Sequence, residues 1–458
     1  MSLTKKELVN LVLDLQGKME ILLAENAELK RRIAQLEKNS SNSSKPPSTD
    51  MNKPDAKNGR NQSLRKPSDK KPGGQKGHKG VTRLQTENPD KTERCLPPST
   101  CSCGQSLEGL NMIVIAKRQL IDIPKIQPTI TEYQQMGVVC KCGKKHAGTF
   151  PQQVQAPVQM GENIQSFLIY LNVAQVIPFK RLAELCYDIF NLKISKRTIE
   201  NILESASQKG APVKSEIMKI IKNSPWVGSD ETGARVGGSG WWQWVWQTLN
   251  ATYYAIDRRR AFEVVGKHFG HDFSGRLVHD CYSAQNNTNA EKGHQQCHPH
   301  IQRDLEFLIK TYGSRWAYRT NDFLRTAQRA RAIIWKPSFD EGRRNQIIME
   351  YEKKLKRLST PIQSNHDVRR LQKRITKHQA SILLFMHDPD TPFHNNSSER
   401  AIRMAKVKQK ISGCFQSEAG AQRHVTLLTI IETAKKQKMN ILSAIQNLLT
   451  ETLVFQGT

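Results

Sequence analysis

Acids are scarce in this chain: 42 Asp and Glu stand against 70 Lys and Arg, for a net charge of +28 and a pI near 9.8. A charge of that size speaks to partners and solubility rather than to fold. Polyanions are its natural partners, nucleic acid first, with an anionic membrane surface as the competitor. The sequence also lacks any run of about 18 apolar residues, so no membrane span is expected. The opening "MSLTKKELVN" has neither an apolar stretch nor a cleavage site, so no signal peptide is expected either. Cysteines number nine, an odd count, and four sit in two close pairs. That disfavours a disulfide framework and suits a reducing cytoplasm with a metal site. What is present is 458 residues, 37% of them hydrophobic, enough for several domains with real cores and for segments that bury little.

Residues 1–38 carry a heptad. Leu8, Leu15, Leu22, Leu29 and Leu36 fall seven apart, with Val12, Met19, Asn26 and Ile33 at the alternate core position. The pattern predicts a coiled coil and a homodimer through residues 4–38, with Asn26 fixing register and a two-stranded state. A single amphipathic helix packed on its own protein is the alternative. Residues 39–94 break the composition. "NSSNSSKPPSTD" and "KPGGQKGHKG" hold almost nothing to bury and read as a flexible linker. Between Lys45 and Arg83 there are eleven Lys and Arg against three Asp. Such an arm can track phosphates, with Lys76 and Lys79 among its contacts, or remain a solvated linker.

Residues 95–150 contain "CSCG" and "CKCG". Cys101 with Cys103, and Cys140 with Cys142, form two thiol pairs on Gly-containing turns. The segment between them, "IVIAKRQLIDIPKIQPTITEYQQMGVV", reads as strands. Together they predict a small zinc-ribbon-like β domain in which four sulfurs close one structural Zn²⁺ site. The Cys-x-Cys spacing is shorter than the commoner Cys-x-x-Cys, which leaves free thiols as the alternative; Cys95 and His146 are spare ligands. Residues 151–222 read as helical. "FKRLAELCYDIF", the turn "NLKI" and "SKRTIENILESASQK", with Ser195 as N-cap, suggest a helix-turn-helix that sets Lys196 and Arg197 toward DNA. Helix pairs of this shape are common.

Residues 226–280 change character. "WVGSD" reads as a strand ending in Asp230. "GARV", the turn "GGSG" and "WWQWVWQTL" read as a hairpin, with Trp242, Trp244 and Trp246 alternating onto one face. "TYYAI" gives a third strand, "RRRAFEVVGKHF" a helix, and "GRLVHD" a fourth strand ending in Asp280. Three strands, a helix and a strand, with acids ending the first and fourth, are the layout of a ribonuclease H-like core. Hydrolysis of a phosphodiester there needs hard divalent ions held by a few carboxylates. A third acid on a helix beside the sheet completes such a site. Glu399 in "PFHNNSSERAI" is the candidate. Its competing role is to favour the positive end of a helix capped from Asn396 to Ser398. Arg403, Lys406 and Lys410 follow at spacings that share a helical face, which could hold a DNA backbone.

The motifs "SSNSSKPPSTD", "GGQKGHKG", "SDETG", "HDCYSA", "CHPHIQRDLEFL" and "NNSSERAIR", in this order, resemble transposases of the insertion-sequence-sixty-six family over nearly the whole chain. The resemblance implies a DDE transposase acting on double-stranded DNA in the bacterial cytoplasm, in contact with the nucleoid. It assigns Asp230, Asp280 and Glu399 to catalytic divalent metal, Mg²⁺ or Mn²⁺. It also implies a multidomain α+β architecture: a core at 223–304 and 391–458 with a helical insertion at 305–390, preceded by the coiled coil, the zinc-ribbon-like domain and the helical DNA-binding domain. The cysteine turns are one residue shorter than the family's pattern, so the zinc ligand set stays open. Cys297, His298 and His300 stand at metal-like spacing where the family commonly has a Cys and a His. No metal is assigned to them, and His300 is either near the active site or structural. A non-catalytic dimeric DNA-binding regulator derived from a transposase, and a phosphodiesterase outside transposition, are the competing functions.

Overall fold

The structure is a computed structural model, and it describes residues 5–37, 75, 77–80, 82–124, 126–360, 363 and 365–457. Lys76 and most of the basic linker lie outside the described residues. The chain begins with one helix, α1 (Lys5–Leu36). The heptad leucines along it are each more than half exposed. Its C-terminal end is different: Ala34 is buried in the same hydrophobic cluster as Ile301 and Leu305.

The expected strands of residues 113–139 shrink to a single short hairpin, β1 (Gly137–Val139) with β2 (Lys145–Ala147). Among the described residues, the Ile- and Val-rich stretch before it forms no strand. Ile115 is 92% exposed and Leu120 94% exposed. β-propensity reflects packing against neighbours, and this stretch has no apolar layer to pack on.

Helix α2 (Glu162–Ile169) runs into a π-helical turn, Tyr170–Ala174, followed by α3 (Phe179–Phe190) and α4 (Lys196–Lys222). Ser195 caps α4 as expected, its Oγ accepting from the Thr198 N–H at 3.0 Å. The helix outruns the expected one, continuing through Pro212. An internal proline costs about 3 kcal/mol, and packing offsets it here: Ile199, Ile202, Leu203, Ala206, Ile217 and Ile221 all enter the core. Residues of α2 to α4 share one hydrophobic cluster with the central sheet, so there is no break in packing at the 222/223 boundary read from sequence.

The sheet is built from β3 (Trp226–Val236), β4 (Ser239–Gln247), β5 (Thr252–Asp257), β7 (Arg276–His279) and β9 (His294–Gln296), in the order β5-β4-β3-β7-β9. Helix α5 (Phe262–His268) links β5 to the parallel half. A two-residue pair, β6 (Asp272–Phe273) with β8 (Asn289–Ala290), flanks it, and α6 (Ser283–Asn286) follows β7. β3 pairs antiparallel with β4 and parallel with β7. Gly237 and Gly238 both have positive φ, 53° and 78°, which a two-residue turn matching the strand twist requires. Trp244 and Trp246 are fully buried and stack with centroids 5.9 Å apart, whereas Trp242 is half-buried. One expectation is corrected here: Asp230 does not end its strand, which runs six residues further along β4.

From β9 the chain enters five helices: α7 (His298–Tyr312), α8 (Arg315–Ile334), α9 (Glu341–Ser359), α10 (His366–Lys377) and α11 (Gln379–His387). They enclose a second hydrophobic cluster, including Leu305, Phe323, Leu355 and Phe385. The chain returns through α12 (Asn396–Ala401), α13 (Arg403–Ser412), α14 (Glu418–Lys436) and α15 (Ile441–Leu449). Helices cover both sheet edges. Thr429 and Thr433 of α14 accept from the Tyr254 and Thr252 N–H groups of β5 at 3.0 and 3.1 Å. On β9, the Gln295 amide donates to the Ile382 carbonyl at 3.2 Å and accepts from the Phe385 N–H at 2.7 Å, both in α11. At β5 the unpaired strand N–H groups are thereby satisfied, and both edges are covered against edge-to-edge pairing.

Candidate active site

The parallel pairing of β3 with β7 sets Gly228 opposite Val278. Two residues further along come Asp230, inside β3, and Asp280, one residue past the end of β7. Residues two apart share a face, so both carboxylates fall on one side where β7 ends. Asp230 is buried, its Oδ1 accepting from the Glu231 N–H at 2.9 Å. Asp280 accepts from the Tyr282 N–H at 3.0 Å. Burial pushes the Asp230 carboxyl well above the usual range, and Asp280, Glu231 and Glu399 push it further. Asp230 therefore feels the charge of both other acids singled out from sequence.

Glu399 arrives on α12, and small polar residues seat that helix on the sheet. The Asn395 amide donates to the Ser229 carbonyl at 2.7 Å, and its oxygen accepts from Ser398 Oγ at 2.6 Å. Ser398 in turn accepts from the Gln247 amide at 3.1 Å. Gly228 makes room: a Cβ there would lie 2.6 Å from Ser398 Oγ and 2.9 Å from Asn395 Oδ1. The capping expectation is corrected. The N-cap residue is Asn395, and its side chain makes no cap bond, serving the sheet instead. Asn396 to Ser398 lie inside the helix.

Glu399 does not close with the two aspartates. Among the described residues, the metal-binding side chains whose ligand atoms all lie within 4.8 Å of one another are Cys297, His300 and Glu399. Glu399 Oε1 is 3.4 Å from Arg303 Nη2 and 3.5 Å from His300 Nδ1. Arg303 also sits 3.4 Å from His300 Nε2. Burial, then Arg303, pushes His300 below its ordinary value. Burial, then Glu399, pushes the Cys297 thiol well up, and its sulfur accepts from the Asn395 N–H at 3.2 Å. A guanidinium inside this trio and a thiol held protonated make it a poor cation site. Clustered carboxylates repel one another unless a cation neutralises them, and Arg303 is the cation that Glu399 meets here. His298 is structural: Nε2 meets the Ile382 carbonyl at 2.8 Å, and its ring packs edge-on against Phe385.

A fourth acid escaped sequence reasoning. Glu231 is buried on the far side of β3, paired with Arg260 at 2.5 Å and accepting from the Gln285 amide at 2.6 Å. Burial and then Asp280 push its carboxyl up to about 7, while Arg260 and Gln285 pull the other way. Arg260 lies 4.7 Å over Trp242 and 3.8 Å over Tyr282. The signal was an acid inside a strand buried on both faces. Nothing in the sequence named Arg260 as its partner. Arg303 was legible only as the residue three beyond His300 on one helix.

The basic candidates separate. Lys79, Lys196, Arg197, Arg403 and Lys410 are exposed. Lys406 is not available as expected: its Nζ donates to the Gly233 carbonyl at 2.7 Å, which ties α13 to β3. A break at Ile402 also parts Glu399 from Arg403, so the two share no continuous helical face.

The cysteine pairs form two turns with the same bonding. Cys101 N–H donates to the Gln105 carbonyl and Gly104 N–H to the Cys101 carbonyl; Cys140, Lys144 and Gly143 repeat this. Backbone bonding from Cys103 lowers the Cys101 thiol, and Cys142 does the same for Cys140. No three of these sulfurs lie within 4.8 Å of one another among the described residues.

The geometry defines a mixed α/β protein with buried and half-buried acids gathered where β7 ends beside β3. Residues 157–423 match the Transposase IS66 family, and the chain belongs to that family. Residues 2–84 match a second family, of unknown function. An uncharacterized protein, y4jO, of Sinorhizobium fredii is 30% identical over 86 residues, which are 19% of this chain and 27% of that protein. The match thus spans about a quarter of the relative's length. Among the described residues, no helix is long and apolar enough to cross a membrane.

Proposed function

We propose that this chain is a DNA transposase with a ribonuclease H-like core, which cuts double-stranded DNA at transposon ends and joins those ends to target DNA through Asp230, Asp280 and Glu399. The observation that carries this reading is the register of β3 on β7, which runs on to set Asp230 beside Asp280. Membership of a transposase family supports it. So does the Asn395–Ser398 seat that brings Glu399 within electrostatic reach of Asp230. The donor set is all oxygen, which suits Mg²⁺ or Mn²⁺. Burial and like charge disfavour an ionised Asp230, so a counter-charge is wanted there. Asp230 and Asp280 would hold the ions between them and Glu399 would hold one, leaving Arg303 for it. When bound, the ions supply the charge that polarises the phosphate and lowers the pKa of water.

In the cut, water attacks the scissile phosphorus, the P–O3′ bond breaks, and the leaving 3′-oxygen takes a proton. In the joining step that 3′-hydroxyl gives up its proton and attacks a target phosphodiester, releasing a target 3′-hydroxyl. No bond to the protein forms. The chain's part is positioning and charge stabilisation, with Lys79, Lys196, Arg197, Arg403 and Lys410 as phosphate contacts and the bacterial nucleoid as the place of action. The test is cleavage of end DNA in Mg²⁺. The parent should nick it, while Asp230→Asn and Asp280→Asn should bind but not cut. A parent protein that binds ends and never cuts them is instead the non-catalytic regulator.

Two parts of the architecture belong to the same reading. The exposed Leu8-to-Leu36 seam serves as a parallel coiled-coil dimer. Removing residues 1–38 should turn a dimer into a monomer by light scattering; an unchanged dimer places the interface elsewhere. The paired cysteine turns, with thiols lowered by backbone N–H groups, bind one structural Zn²⁺ between them and hold together a region with no apolar core. Protein purified without added zinc should carry about one zinc per chain. Zinc-free protein with four freely alkylated thiols rules the ribbon out.

A further inference from the structure

The residue after Asp280 has an unusual backbone. Cys281 has φ +75°, in the left-handed region that favours glycine. Its N–H donates to Nδ1 of His279 at 3.0 Å. A ring nitrogen that accepts an N–H carries no proton, so Nε2 carries it and donates to Nδ1 of His294 at 3.1 Å. The two rings meet edge to face with centroids 5.2 Å apart, and His279 is fully buried. His294 is held in turn by the Thr288 backbone. This buried series of bonds ends on the loop that carries the second acid. One residue beyond Cys281, the Tyr282 N–H donates to Asp280 Oδ1.

We propose that His279 is a positioning residue for Asp280: backed by His294, it pins the Cys281 peptide in the left-handed turn that presents the Tyr282 N–H to the Asp280 carboxylate and holds that carboxylate beside Asp230. The inference rests on the reading of Asp280 as a metal-binding acid. A strained residue persists only where its surroundings over-determine it. On one side of the turn the determining contact is the His279 acceptor. On the other it is the Tyr282 ring, stacked 3.8 Å from Arg260, with its hydroxyl donating to the Arg260 carbonyl at 2.7 Å. Without the acceptor, Cys281 relaxes toward negative φ and the Tyr282 N–H swings away from Asp280. Glycine at 281 has no such drive, because it lacks the Cβ that makes the turn costly.

The test reads the Mg²⁺ concentration for half-maximal cleavage of end DNA, beside affinity for that DNA and thermal melts. His279→Leu fills the space without an acceptor and should raise the half-maximal Mg²⁺ at least about tenfold at unchanged DNA affinity. His279→Asn keeps an acceptor near the place of Nδ1 and should stay within about threefold of the parent. Adding Cys281→Gly to His279→Leu should recover most of the loss. A His279→Leu protein with the parent's Mg²⁺ requirement overturns the inference. So does a double variant no better than His279→Leu, since the ring would then act by packing alone. If neither leucine variant folds, His279→Asn decides: a parent-like requirement supports the inference and a tenfold rise overturns it. Asp280→Asn is run beside them. If it cleaves at the parent's rate, the reading of Asp280 itself falls, an outcome separate from all of the others.

Discussion

Glu399→Gln is expected to reduce strand cleavage by about 10²–10³-fold or more, because it removes a charged oxygen from a site that works by charge. Its effect on folding should be small. The substitution loses the partly buried pair with Arg303 at 3.4 Å but also relieves repulsion with Asp230. These oppose each other, so the net change should stay within about 1 kcal/mol. End-DNA affinity should persist, since the proposed phosphate contacts are Lys and Arg elsewhere. The measurement is matched melts, gel-shift affinities and cleavage in Mg²⁺ and Mn²⁺. If the variant cuts ends at the parent's rate, Glu399 is left with Arg303 and His300 alone, and the third acid must be sought at Glu418 or Glu432.

The second large effect belongs to a residue with no side chain. Gly228→Ala places a methyl 2.6 Å from Ser398 Oγ and 2.9 Å from Asn395 Oδ1. Both neighbours are buried and hydrogen-bonded. Either they shift, breaking bonds to the Ser229 carbonyl and to Gln247, or β3 does. Overpacking together with a broken buried network should cost about 2–4 kcal/mol. Cleavage should fall as well, since α12 carries Glu399. Ser398→Gly in the same chain removes the nearer clash and should return part of the stability. Equilibrium urea unfolding measures both. A Gly228→Ala protein as stable as the parent would falsify the tight seat.

Local signals were legible where local physics decides. Ser195 caps its helix because a hydroxyl there meets a free N–H, and Gly237–Gly238 turn the hairpin because only positive φ fits. Trp244 and Trp246 stack in the core, while Trp242 stays half-buried. Signals failed where tertiary packing decides. β3 is buried on both faces, so no alternation marked its length, and Asp230 looked like an end. The helix after Ser195 was read only as far as Lys209, and packing carries it through Pro212 to Lys222. The stretch 113–136 looked like strands, and nothing was there to pack on. Of the candidate site, the proposed acids could be named from sequence, but their surroundings could not. Arg303, Arg260 and the Asn395–Ser398 seat depend on contacts between residues roughly 30 to 170 apart, and composition carries no trace of such distances.

The insertion has a consequence for timing. Asp230 lies on β3 and Asp280 just past the end of neighbouring β7, whereas 118 residues separate Asp280 from Glu399, among them five helices that share the second hydrophobic cluster. Helix α14, which closes the β5 edge, is later still. Chains fold from the N-terminus as they are synthesised. On the ribosome, the front of this protein is out and basic long before its third acid exists. On the proposed reading, a nascent chain would therefore hold DNA through its basic front before Glu399 and the helix that closes the β5 edge have been synthesised, and would not yet be able to cut it.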